Sequence, residues 1–180
     1  YRLPGGHWQK ARSIISDDTR EVTSAQPGDL TVIYERDSEK TKGIKAFALR
    51  EHFRLDGDAL DWEITLRNKT DLPLEIGDLG LPLLFNTNYV SDSLTTYTQR
   101  VIRHSYIAGH GSFITVMRPN GVGPFLVMTP HAGTKLEYFH HDLTSGAWEG
   151  IYTAYIHSAA WADAETRGTW RQTQTSLILA

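Results

Sequence analysis

The sequence predicts an all-β chain, an antiparallel β-sandwich with few or no helices. Three observations carry that expectation. Residues 46–55 and 60–67 alternate apolar and polar side chains with a period of two, the pattern of half-buried strands. Turn signals built on Gly, Pro, Asn and Asp separate short runs rich in β-branched and aromatic residues. No amphipathic helical period of useful length occurs anywhere in the 180 residues.

Taken in order, residues 1–27 are mixed. Gly5-Gly6 breaks the start, Ala11–Ile15 reads as a short strand or a turn of helix, and Pro27-Gly28-Asp29 is a turn. Leu30–Glu35 (LTVIYE) is a strand by composition, and the charged run Arg36–Lys42 connects it to the next. In Ala46–Leu55, Phe47, Leu49, Phe53 and Leu55 share a face with Glu51 as the exception, and Arg50, His52 and Arg54 lie opposite. Asp56-Gly57-Asp58 joins this strand to the next as an antiparallel hairpin. In that second strand Leu60, Trp62, Ile64 and Leu66 face one way, and Asp61, Glu63, Thr65 and Arg67 the other. Asn68-Lys69-Thr70-Asp71 turns the chain, Leu74–Ile76 resumes it, and from Gly77 a Gly/Pro-punctuated apolar run leads to Phe85. Residues 86–112 have no period and read as one long irregular segment. Phe113–Met117, Phe125–Thr129, Lys135–Phe139, Trp148–His157 and Thr169–Leu179 read as strands, with a polar loop at His140–Gly146.

Length and composition place the chain as a single domain over residues 1–180, long enough for a sizeable core. A net charge of −3, with Lys and Arg scattered, gives no electrostatic reason to expect nucleic acid or an anionic membrane as partner. No stretch approaches the roughly 20 apolar residues that span a bilayer. Without Cys, neither disulfides nor thiolate metal sites are open to it. Both ends read as cuts, so the expectation is a piece of a longer multidomain protein.

Candidate chemistry is sparse. His104 and His110 flank Arg103 and the glycines Gly109 and Gly111 inside the irregular segment, where a neutral imidazole suits an acid, base or ligand. Their spacing matches no compact metal motif, and in His140-His141-Asp142 adjacent side chains of an extended chain point apart, so no metal and no cofactor is expected. Paired carboxylates for glycoside hydrolysis are available from Asp78, Asp92, Glu137 and Glu149, but spacing places no two of them across a sugar ring. Glu75 and Asp78 read more simply as groups that fix the turn at Gly77. Five Trp and eight Tyr suit a β core or a sugar-stacking surface. Trp62 belongs to the core by its face, while Trp148, Tyr152, Trp161 and Trp170 are candidates for a platform. Asn68-Lys69-Thr70 also fits the glycosylation acceptor pattern.

The run LDWEITLRNKTDLPLEIGDLGLPLLF, with RHSYIAGHGSFITVMRPNGVGPFLVMTPHAGTKLEYF, resembles the β-supersandwich (galactose-mutarotase-like) domains of carbohydrate-active proteins. It is similar in particular to a large family of bacterial and fungal proteins, many of them secreted, known only as a domain of unknown function. Such domains often precede an (α/α)6 barrel in glycoside hydrolases. The resemblance therefore implies a domain that packs on a helical catalytic domain of the same parent and frames its substrate cleft. The 86–112 segment would lend a loop to that cleft, with Arg103, His104 and His110 as contacts to an oligo- or polysaccharide substrate or to the other domain, in a secreted or periplasmic protein; Trp148 and Trp161, from the aromatic platform, would stack on the sugar. Two alternatives remain open: a free-standing carbohydrate-binding module, or an aldose-epimerase-like enzyme pairing His104 or His110 with Glu137 or Glu149.

Overall fold

The protein is described by a computed structural model covering residues 1–11, 20–36, 46–83, 85, 91–142, 151–160 and 174–180. Strands dominate, and every pairing between them is antiparallel. The fold is all-β, as the alternating patterns predict. The chain forms two compact units, one of Tyr1–Ile76 with Leu177–Ala180 and the other of Gly77–Ser176.

The first unit is built on a four-stranded meander: β1 (Glu21–Gln26), β2 (Asp29–Tyr34), β3 (Phe47–Asp56) and β4 (Ala59–Asn68), hydrogen-bonded in that order. The β3–β4 hairpin pairs Phe47 with Asn68 through to Asp56 with Ala59, without a slip. Gly57 at its turn takes φ 58°, a conformation that costs glycine little and other residues more. Because directly opposed residues share a face, Leu30, Phe53 and Trp62 line up across three strands, and the Phe53 and Trp62 rings stack at 5.4 Å. Trp62 is half-buried rather than part of the buried core that its face predicts, and Leu55 and Leu60 at the hairpin tip are exposed. β1 is a strand that the mixed composition of residues 1–27 conceals, since all six of its residues are exposed.

Asn68 holds the turn that follows β4. Its Oδ1 accepts from the Thr70 backbone N–H at 2.9 Å, and its Nδ2 donates to the carbonyls of Leu72 and Leu179 at 2.8 and 3.2 Å. The amide that an acceptor motif would present for glycosylation is thus engaged in closing the turn. β5 (Leu74–Ile76) pairs with β12 (Leu177–Leu179), and an isolated bridge joins Arg2 to Glu75. Glu75 also accepts from Arg2 Nε at 2.6 Å, so this carboxylate anchors the N-terminal segment.

The second unit contains two three-stranded sheets. One runs β10 (Tyr138–Asp142), β11 (Ile151–Ser158), β6 (Asp78–Leu83). The other runs β7 (Ile102–Tyr106), β8 (Phe113–Met117), β9 (Leu126–Met128). Leu83 and Ala154 from the first sheet and Ile114 and Val116 from the second meet around Leu136 in one buried cluster, the packing of a small sandwich. A seven-residue helix, α1 (Ser93–Gln99), and β7 occupy the stretch expected to be irregular. The strand expected at Lys135–Phe139 begins instead at Tyr138 and continues through His140 and His141, which removes the expected start of a polar loop there. Of the closing strand expected at Thr169–Leu179, the described residues form β12 at Leu177–Leu179, and residues 169–173 lie outside the described residues.

Candidate functional site

The chemistry-bearing residues gather in the second unit, on and beside the β10–β11–β6 sheet. Register sorts its side chains. Phe139 lies opposite Ala154 and Leu81 in the same row, so this set faces the buried cluster. Tyr138 lies opposite Tyr155 and Gly80, and His140 opposite Thr153 and Pro82, so these occupy the other face. On that face Tyr138 and Tyr155 approach to 6.1 Å between ring centres, and Tyr138 and His140 to 6.0 Å with planes 28° apart. Gly80 is what lets Tyr155 lie down across the sheet. A Cβ there would fall 2.8 Å from Tyr155 Cε1 and 2.7 Å from Thr153 Cγ2. The result is a half-buried row of two phenols and an imidazole on flat β-backbone.

On the inner face, Arg103 lies over two rings. Its guanidinium carbon is 3.6 Å from the centre of Tyr152 and 4.3 Å from that of Phe139, and those rings stack at 5.7 Å with planes 15° apart. Arg103 comes from the 86–112 segment and Tyr152 from the set of candidate stacking aromatics, so two separately chosen residues meet here. Arg103 Nη1 approaches Ser105 Oγ at 3.4 Å, and Nε is sealed from solvent with no acceptor among the described residues.

The third feature is a buried carboxylate. Glu137 is fully inaccessible, and its Oε2 accepts from the Ser158 N–H and Oγ–H at 3.0 Å each and from the Thr175 N–H at 2.9 Å. Its Oε1 accepts from Thr175 Oγ1 and lies 3.6 Å from Lys135 Nζ. Four donors and a cation compensate the charge that burial would otherwise penalise. Thr175 Oγ1 also meets His157 Nδ1 at 3.0 Å. Since the hydroxyl's one proton is directed to Glu137, Oγ1 accepts from Nδ1–H, and the lone pair of the neutral ring stays on Nε2. Burial lowers the His157 pKa from its ordinary 6.5, an effect that the Glu137 charge opposes and the Lys135 charge reinforces. A β-bulge between Tyr155 and His157 sets His157 opposite Leu79.

The remaining candidates lie apart. His104 is exposed on β7, opposite Thr115, and by alternation points away from the Arg103 side. His110 follows the turn at Gly109, where φ is 62°, and its Nδ1 meets the Thr134 carbonyl at 2.8 Å. Neither histidine is linked to Glu137; the imidazole that is, through the Thr175 hydroxyl, is His157. Asp92 caps α1, accepting from the Leu94 and Thr95 N–H groups at 3.3 and 3.0 Å, and these bonds with the Thr95 hydroxyl lower its pKa. That is the work of a helix cap rather than of a catalytic acid. Asp78 opens β6 opposite Ser158. Trp148, Glu149, Trp161 and Trp170 lie outside the described residues. Among the described residues no three His, Asp or Glu side chains converge as a metal site would require. A shallow groove of about 440 Å³ in the first unit, lined by Leu30, Phe53, Leu55 and Leu60 with Ser24, Gly28 and Asp29, is apolar and gathers no comparable set of polar groups.

No curated protein and no solved structure matches the chain. One family of unknown function, DUF5695, matches it from residue 1 to residue 180. The chain belongs to that family.

Proposed function

We propose that this chain is the β-sandwich part of a glycoside hydrolase-like, carbohydrate-active protein. In this reading it frames a substrate cleft, the catalytic acid and base lie in a helical domain of the same parent, and the parent is secreted or periplasmic. The observation that carries the reading is the row Tyr138–Tyr155 with His140 on one face of the β10–β11–β6 sheet. Aromatic rings set on rigid strands suit the apolar C–H face of a pyranose. The resemblance of residues 60–85 and 103–139 to supersandwich domains supports the same class.

The test is a glycan array probed with the chain and with its Tyr155→Ala and Tyr138→Ala variants, beside hydrolysis assays on the longer parent. Binding by the chain that both variants weaken, with turnover confined to the parent, supports the reading. A chain and a parent that neither bind nor cleave any glycan overturn it.

A second reading, an epimerase-like enzyme acting on its own, draws on the Glu137–Thr175–His157 arrangement, in which a buried carboxylate orients a neutral imidazole through a hydroxyl. Anomer exchange catalysed by the chain and lost in His157→Gln would favour it over the first.

A further inference from the structure

The guanidinium of Arg103 is held in place and poorly satisfied. One of its faces is taken up by Tyr152 and Phe139, at 3.6 and 4.3 Å from ring centre to carbon. Stacking of this kind fixes the plane of the group while leaving its N–H edge free to donate. The group carries five N–H donors, and among the described residues its one hydrogen bond is a long one, from Nη1 to Ser105 Oγ at 3.4 Å. Nε is closed off from solvent and has no acceptor among the described residues, an arrangement that costs free energy unless something else repays it. No carboxylate of the described residues lies within ion-pair distance of Arg103, although Arg2, Arg54 and Arg67 each have one.

A planar cation with its orientation fixed by two rings, in surroundings partly withdrawn from water, matches a planar carboxylate that it can grip through two parallel N–H···O bonds. A guanidinium fork grips phosphate and sulfate as well; a sugar carboxylate is the anion whose contribution carboxyl reduction isolates on an otherwise unchanged sugar. The protein's net charge of −3 makes general attraction of polyanions a poor explanation for any such binding, so the recognition has to be local. We propose that Arg103, positioned by Tyr152 and Phe139, recognises the carboxylate of a uronic acid residue, so that the glycan handled by this domain is an acidic one. The proposal takes from the carbohydrate reading only that the ligand is a sugar; the anion rests on Arg103.

The experiment is titration of the full chain with galacturonate, glucuronate, mannuronate and guluronate oligosaccharides, and with the same oligosaccharides after reduction of their carboxyls to alcohols. Wild-type binding to at least one uronate oligomer, weakened about tenfold or more by carboxyl reduction, is expected from a charge-assisted bidentate pair. Arg103→Met and Arg103→Lys should each reproduce that loss, Lys because it keeps the charge but not the fork. Uronate binding that is indifferent to carboxyl reduction overturns the proposal, as does binding unchanged in both variants. No binding to any uronate oligomer also overturns it. If neutral glycans still bind in that case, the carbohydrate reading stands without it; if they do not, both fall. The reduction arm uses wild-type protein, so the outcome does not hang on whether the variants fold.

Discussion

The Glu137 carboxylate and the His157 imidazole are joined by one hydroxyl, that of Thr175, which donates to Glu137 Oε1 and stands 3.0 Å from His157 Nδ1. The same carboxylate receives the backbone N–H groups of Ser158 and Thr175, residues 21 and 38 positions further along the chain. A single side chain therefore ties the segment before β10 to the end of β11 and to the approach to β12. Removing it leaves two backbone donors and two hydroxyls without their acceptor inside the protein.

Glu137→Ala should accordingly cost about 3 kcal/mol, the range for stripping the acceptor from several buried donors. Glu137→Gln keeps one oxygen for the Ser158 and Thr175 N–H groups and should cost less than Ala. Urea unfolding of the three proteins measures both. A Glu137→Ala variant as stable as wild type would mean that water or a neighbouring group satisfies these donors.

His157 gives the fold a pH dependence of known sign. Its folded pKa is lowered from 6.5, chiefly by burial. Between the folded value and 6.5 the unfolded chain therefore holds more protons than the folded one, and stability rises with pH across that window. The contribution is complete above 6.5 and is lost as pH falls below it. His157→Gln should flatten this part of the stability–pH profile, and an NMR titration of the ring should give a midpoint below 6.5. A midpoint above 6.5 would show that attraction to Glu137 outweighs both burial and Lys135.

The β3–β4 hairpin was legible because alternation, a Gly-centred turn and matched lengths all agree. β1 and β7 were not. Glu21–Gln26 and Ile102–Tyr106 carry too few apolar residues to mark a face, and they are strands because neighbouring strands supply their hydrogen bonds. Glu137 stood out only as one of several acidic candidates. Nothing local in Lys135-Leu136-Glu137 marks it as buried, because the groups that enclose it come from distant parts of the chain. Arg103 stood out for its place in a polar segment, but nothing local indicates that Phe139 and Tyr152 lie beneath it.

Gly80 and Tyr155 should behave as a coupled pair. A methyl group at position 80 would sit 2.8 Å from the Tyr155 ring and 2.7 Å from Thr153 Cγ2. Gly80→Ala should cost about 1–3 kcal/mol through overpacking. Once Tyr155→Ala has removed the ring, part of that cost should disappear, so the double variant should be more stable than the two single effects added together. Strict additivity in a double-mutant cycle would mean that Thr153 alone opposes the methyl group.

Glu51 is the charged exception on the apolar face of β3, and its pKa is raised above its ordinary 4.5 by burial. The polar edges of Trp62 and Tyr34 pull it back only in part. Here the folded state holds the proton more tightly than the unfolded one, so stability falls as pH rises from 4.5 through the folded value and the penalty persists at neutral pH. Glu51→Gln keeps the shape and removes the charge. It should raise the melting temperature at pH 7, with the gain shrinking to nothing as pH falls below 4.5. A variant less stable than wild type at pH 7 would mean that the charged form of Glu51 is held by its neighbours more strongly than burial opposes it.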